Sequence, residues 1–256
     1  MKKTAEYIKS LKGKEKIAMI TGYDYFTAKM EDEADIDIIL IGDSLGMVIL
    51  GYENTLSVTM EDTKRHTGAV VRGVKNALIV ADMPVKSFET KEDAILNAEA
   101  LIKLGADAVK IEKRPDIAKD LVENGIEVMG HIGLTPHTST EFKVQGKNEG
   151  TANKIIDEAI ELDKAGCFSI VVECVPIDLA KKITNAVSVP TIGIGAGIEC
   201  DGQVLVANDM LGLYDRLSPK FVKKYAALGD EMKKAIQNYV SDVKEKKFPE
   251  DKHSFH

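Results

Sequence analysis

Apolar and polar positions alternate in blocks along the chain. Short aliphatic runs recur at 16–24 ("KIAMITGYD"), 37–40 ("DIIL"), 76–82 ("NALIVAD"), 107–112 ("DAVKIE"), 126–133 ("IEVMGHIG"), 168–175 ("FSIVVECV"), 190–197 ("PTIGIGAG") and 202–209 ("GQVLVAND"). Each reads as a strand. Between them lie segments with apolar residues at helical spacing, among them "KEDAILNAEALIKLG" with its stop at Gly105 and "PDIAKDLVENG", where Pro115 suits a first helical position and Gly125 ends the turn. A last helix is expected over 220–247. Strand and helix alternate throughout, which is the pattern of a parallel sheet built from βα units.

Eight such units in 256 residues average about 32 residues each, the size of a βαβ repeat and of a whole (β/α)8 barrel. The expected fold is therefore α/β: one (β/α)8 TIM barrel domain with parallel strands, spanning 1–256. An open doubly wound sheet is the alternative, but no Gly-rich turn follows the first strand. "GIGAG" at 193–197 comes late and lacks the spacing of a dinucleotide fingerprint. The longest stretch without periodicity, "LTPHTSTEFKVQGKNEGT" at 134–151, is a candidate lid.

Composition changes this picture mainly by exclusion. At 44% hydrophobic and 29% charged residues the chain reads as globular, and a net charge of -7 argues against a nucleic-acid or anionic-lipid partner. No apolar run approaches a membrane span, and the N-terminus lacks a signal peptide's apolar core. The expectation is a cytoplasmic protein. Cys167, Cys174 and Cys200 form no C-x-x-C pair and read as buried, reduced thiols.

Four strand-like runs end in an acid: Asp43, Asp82, Glu112 and Glu173. In a barrel the strand ends meet at one face, where catalytic residues gather. Alternation with period two also puts Lys110 on the same side of its strand as Glu112. Carboxylates crowded in a partly dry cavity repel one another unless a cation compensates them, and an all-oxygen set favours a hard ion such as Mg2+ or Mn2+ over zinc. Any one of these acids could equally cap a helix or pair with a lysine. Their concurrence on neighbouring strands favours a metal-assisted enzyme.

The segments "IGDSLGMVILGYENTLSVTMED", "ADMP", "VKIE", "GHIGLTP", "KVQGK", "VVECVP" and "TIGIGAG", in this order, closely resemble the ketopantoate hydroxymethyltransferase family. The likeness runs from "MITGYDY" to "KFPEDKHSF", nearly the whole chain. It implies a barrel enzyme of pantothenate synthesis that moves a hydroxymethyl group from 5,10-methylenetetrahydrofolate to 3-methyl-2-oxobutanoate through a metal-stabilised enolate. Carried over by motif, Asp43, Asp82 and Glu112 match the ligands of one Mg2+ per subunit. Asp43, Ser44, Asp82, Lys110 and His131 match positions around the oxo acid, and Glu173 the general base. The family also implies a homo-oligomer, commonly a decamer. The chain departs from the family pattern in "GLTPHTSTEFKVQGK", where His137 reads as a solvated loop residue; His66, on the second helix, reads as a surface or helix-packing one. The rival enzyme reading is a Mg2+-dependent lyase or mutase of the phosphoenolpyruvate mutase and isocitrate lyase type, although no cysteine-bearing catalytic loop stands out. A binding module that kept the barrel without its chemistry is the second rival.

Overall fold

The structure is a computed structural model that describes residues 2–135, 143–217 and 219–256. Of the lid segment expected over 134–151, residues 136–142 lie outside the described residues, His137 among them. The chain divides into two compact units, Met1–Val206 and Ala207–His256.

Eight parallel strands in the first unit close into a barrel in sequence order. They are β1 (Ile17–Thr21), β2 (Ile38–Ile41), β3 (Leu78–Asp82), β4 (Ala108–Glu112), β5 (Val128–Gly133), β6 (Ser169–Glu173), β7 (Thr191–Ile194) and β8 (Gly202–Leu205). The expected TIM barrel is thus the observed one. Helices alternate with the strands: α1 (Ala5–Ser10), α2 (Tyr25–Glu33), α3 (Leu45–Val48), α4 (Met60–Gly73), α5 (Lys91–Lys103), α6 (Pro115–Glu123), α7 (Glu149–Lys164) and α8 (Ile177–Ala186). Their starts follow local chemistry. Thr59 and Asp62 form a reciprocal capping box on α4, the Thr90 hydroxyl accepts from the Asp93 N–H on α5, and Pro115 opens α6 where its missing N–H costs nothing.

Strand register decides what fills the barrel. Thr21 lies beside Leu40, Leu40 beside Val80, and Val80 beside Ala108, so these side chains share one surface of the sheet. Continuing up the same surface, Asp82 lies beside Lys110, Glu112 beside His131, and Gly133 beside Glu173. Aliphatic side chains such as Ile38, Leu78 and Ala108 close the lower layers and are buried. Each large one contributes about 1.5–3 kcal/mol through its removal from water. The upper layer on this surface carries the polar groups.

The second unit contains α9 (Ala207–Met210) and α10 (Leu228–Lys244). The helix expected from 220 begins only at Leu228. Within this unit the N–H groups of Tyr225 and Leu228 bond to the carbonyls of Met210 and Leu211, so this stretch is fastened to α9 and the residue after it rather than wound into a turn. The short helices α1, α3 and α9 were not foreseen; residues 207–209, read as the end of the eighth strand, belong to α9, and β8 stops at Leu205. No helix among the described residues is long and apolar enough to cross a membrane.

Candidate active site

Every site residue expected from the sequence falls at the carboxyl end of a barrel strand. Asp43 and Ser44 come after Gly42 just past β2, Asp82 ends β3, Lys110 and Glu112 lie in the last three residues of β4, His131 in β5, and Glu173 ends β6. Asp43, Asp82, Lys110, Glu112 and His131 are all buried, whereas the Glu173 side chain keeps 15% exposure. Lys110 and Glu112 share one face of β4, as period-two alternation requires, and that face carries Asp82 and His131.

Lys110 Nζ stands 2.7 Å from Asp82 Oδ2, with both side chains almost fully buried. Burial alone would lower the Lys110 pKa. The charges of Asp82, Asp43 and Glu112, with the hydrogen bond to Asp82, outweigh that and raise it, so the group is a fixed cation. The same Asp82 oxygen accepts the Asp43 N–H at 3.2 Å, which ties the segment after β2 to the end of β3.

His131 lies between two carboxylates, its Nδ1 3.6 Å from Glu112 and its Nε2 3.1 Å from Glu173. Burial and the nearby Lys110 charge push its pKa down, but the Glu112 and Glu173 carboxylates beside it raise it further, to about 9. An imidazolium there orients Glu173 from one side.

Backbone geometry holds Glu173 from the other side. Gly133 has φ +89 and passes so close to the Glu173 carbonyl that a Cβ would collide with it, and the next N–H, from Leu134, bonds that carbonyl at 2.9 Å. The "KVQGK" stretch returns to the same place, with the Gln145 N–H bonding the Cys174 carbonyl at 2.8 Å. Burial, helped by the Glu173 charge, pushes the Cys174 thiol up to about 12, so it is no nucleophile.

Two further groups were not foreseen. The Tyr23 hydroxyl lies 2.7 Å from Ser44 Oγ, and His66 Nδ1 lies 2.6 Å from the Tyr23 carbonyl oxygen. The only sequence signal was that Tyr23 follows β1 at the alternation of Thr21.

Among the described residues no three His, Cys, Asp or Glu side chains form a ready-made metal cage. The charges nevertheless suit a divalent cation. Asp43, Asp82, Glu112 and Glu173 gather there around Lys110 and His131, so acidic side chains outnumber basic ones at the mouth. Hard oxygen donors without a complete cage are what Mg2+ takes, because it fills its remaining positions with water and substrate.

Fold and site together define a barrel enzyme that gathers charged groups at its strand ends. The pattern of the ketopantoate hydroxymethyltransferase family matches residues 2–251, and the chain belongs to that family. Relatives named 3-methyl-2-oxobutanoate hydroxymethyltransferase include one from Clostridium botulinum, 53% identical over 100% of this chain and 96% of its own. Others come from Carboxydothermus hydrogenoformans (54%, covering 94% and 90%) and Syntrophus aciditrophicus (50%, covering 98% and 96%). Among solved structures, a phosphonopyruvate hydrolase in complex with oxalate and Mg2+ superposes with TM-score 0.65 at 8% identity, over 99% of this chain and 92% of that one. A 2,3-dimethylmalate lyase of the phosphoenolpyruvate mutase/isocitrate lyase superfamily superposes with TM-score 0.61 at 13% identity, over 100% and 93%. These two share the fold; sequence separates this chain from them.

Proposed function

We propose that this enzyme transfers a hydroxymethyl group from 5,10-methylenetetrahydrofolate to 3-methyl-2-oxobutanoate, giving 2-dehydropantoate for pantothenate synthesis. The observation that carries the reading is the mouth itself, in a chain of this family: a buried Asp82–Lys110 pair, Asp43 and Glu112 beside it, and Glu173 held by His131 one strand further on. The crowding of these carboxylates supports a bound divalent cation, Mg2+ by preference, held by Asp43, Asp82 and Glu112. The chemistry such an ion supplies is Lewis-acid withdrawal of electrons from the 2-oxo acid, which acidifies the C–H beside the ketone.

The chain's own groups do the rest. Lys110, a permanent cation, faces the negative charge that develops on the substrate oxygen. Ser44 gives a hydrogen bond to the oxo acid. Glu173, partly exposed at the mouth, takes the proton from C3 and breaks that C–H bond; its electron pair then forms the new C–C bond to the one-carbon unit. Water supplies the hydroxyl as tetrahydrofolate leaves. His131 keeps the Glu173 carboxylate oriented.

An assembly of several copies, a decamer by family likeness, is supported by α10, where Met232, Ile236, Tyr239 and Val243 recur at helical spacing and are all exposed. A cytoplasmic location suits three free thiols.

The test is deuterium uptake at C3 of 3-methyl-2-oxobutanoate in D2O, followed by NMR. Exchange should require a divalent ion and fall by about 10²-fold or more in Glu173→Gln, the scale of general-base catalysis. Glu173→Gln exchanging at the wild-type rate removes Glu173 as the base. Failure of the wild type to form product from both substrates removes the reaction.

A further inference from the structure

Tyr23 is buried, at 2% exposure, and follows Thr21 by one strand repeat, so it stands on the barrel-mouth side of β1. Its hydroxyl meets Ser44 Oγ at 2.7 Å. The serine hydroxyl in turn occupies the space a side chain at residue 42 would take, since a Cβ on Gly42 would lie 2.9 Å from Ser44 Oγ. Gly42 continues the alternation of Ile38 and Leu40, so that space also opens on the mouth. Two strand ends therefore meet through a pair of hydroxyls over the site.

The anchoring of this pair is asymmetric. His66, half-buried on α4, places Nδ1 2.6 Å from the Tyr23 carbonyl oxygen. A ring nitrogen facing a carbonyl carries the proton, so His66 donates and pins the Tyr23 backbone. On the other side Asp82 holds the Asp43 N–H. The Ser44 side chain is a short rotor between two fixed points.

We propose that Tyr23 is a positioning residue for substrate: its hydroxyl donates to Ser44 Oγ, fixes the serine rotamer and directs the serine's own proton toward an anionic oxygen of the bound 2-oxo acid. This rests on the reaction proposed above. A hydroxyl that accepts one hydrogen bond donates a stronger one, and the gain is greatest toward a charged acceptor in a dry site. The interaction is made with substrate and transition state alike, so it acts on KM rather than kcat.

The experiment compares wild type, Tyr23→Phe, Ser44→Ala and the double variant for Mg2+-dependent turnover and for calorimetric binding of 3-methyl-2-oxobutanoate. Tyr23→Phe is expected to raise the oxo-acid KM about tenfold with kcat within about threefold, the folate KM unchanged and the melting midpoint held. Ser44→Ala should raise the same KM at least as much, and the double variant should be no worse than Ser44→Ala, because the two residues act through one bond. A merely structural tyrosine would instead lower the melting midpoint and disturb all parameters together, which overturns the inference. So does a normal oxo-acid KM in Tyr23→Phe, or effects that multiply in the double variant, when the wild type binds the oxo acid. A wild type that binds no 3-methyl-2-oxobutanoate overturns the functional reading, and this inference with it.

Discussion

Glu31 in α2 is a carboxyl in an apolar place. It is 9% exposed, and neither oxygen has a hydrogen-bond partner among the described residues. It fits only because residue 22 is glycine: a Cβ on Gly22 would stand 2.5 Å from Glu31 Oε2. Burial, with the Asp24 charge adding to it, raises its pKa from 4.5 to about 8. The folded protein therefore keeps a proton that the unfolded chain releases above pH 4.5, and stability falls as pH rises from there to about 8. The loss is on the order of a few kcal/mol. His131, raised from 6.5 to about 9, adds a slope of the same sign above pH 6.5, so the informative quantity is wild type minus variant. Glu31→Gln should flatten the slope of denaturation free energy between pH 5 and 8 relative to wild type; an unchanged slope would show that this carboxyl ionises in the fold as it does in water. The strand-end acids were legible in the sequence because each interrupts an aliphatic run. Glu31 was not, since "KMEDEA" looks like any solvated helix face and only tertiary packing turns one of its acids inward. The Tyr23–Ser44 pair was hidden for a different reason, as it joins two strands through side chains 21 residues apart.

At the level of elements, one side chain fixes where β3 begins. The Asp32 carboxylate, near the end of α2, accepts the N–H groups of Lys75 at 3.0 Å, Asn76 at 2.8 Å and Ala77 at 2.7 Å. These are the residues that lead into β3, which four residues later delivers Asp82. Burial opposes the Asp32 charge, but the three backbone bonds more than offset it and hold its pKa below the usual 3.8. Its stabilisation is thus present above that pH and lost below it. Asp32→Ala strands three donors and should cost roughly 2–4 kcal/mol at pH 7 by urea denaturation, with Asp32→Asn losing less because one acceptor oxygen remains. A loss within about 0.5 kcal/mol of zero would mean that water replaces the carboxylate at no cost. The eight strands and six of the helices were legible because aliphatic runs and helical periodicity switch cleanly at Gly and Pro. The start of α10 was not: "KFVKKYAA" has helix-forming composition, but the N–H groups of Tyr225 and Leu228 bond to Met210 and Leu211 instead of to the preceding turn. Such bonds lie beyond the reach of local pattern.

On the scale of the whole molecule, the barrel gathers more acidic than basic side chains at its mouth. The layers beneath are aliphatic and buried, so carboxylates crowded above them repel one another, and a cation that joins them relieves that repulsion. Binding of a divalent ion with the oxo acid should therefore appear as stability of the folded barrel. At ligand concentrations 100-fold above Kd the linkage is about 2.7 kcal/mol, which for a unit of this size raises the melting midpoint by roughly 5–10 °C. Mg2+ and 3-methyl-2-oxobutanoate together should give that shift, and either alone should give clearly less, because each supplies part of the other's coordination. Chelation with EDTA should return the midpoint to its ligand-free value. In Asp82→Asn, where the mouth loses both a proposed ligand and the partner of Lys110, the paired ligands should give no more shift than the oxo acid alone. If the oxo acid stabilises the wild type as much in EDTA as in Mg2+, then Lys110 and Ser44 bind it without metal, and the carboxylates serve only to hold Lys110 and His131 charged.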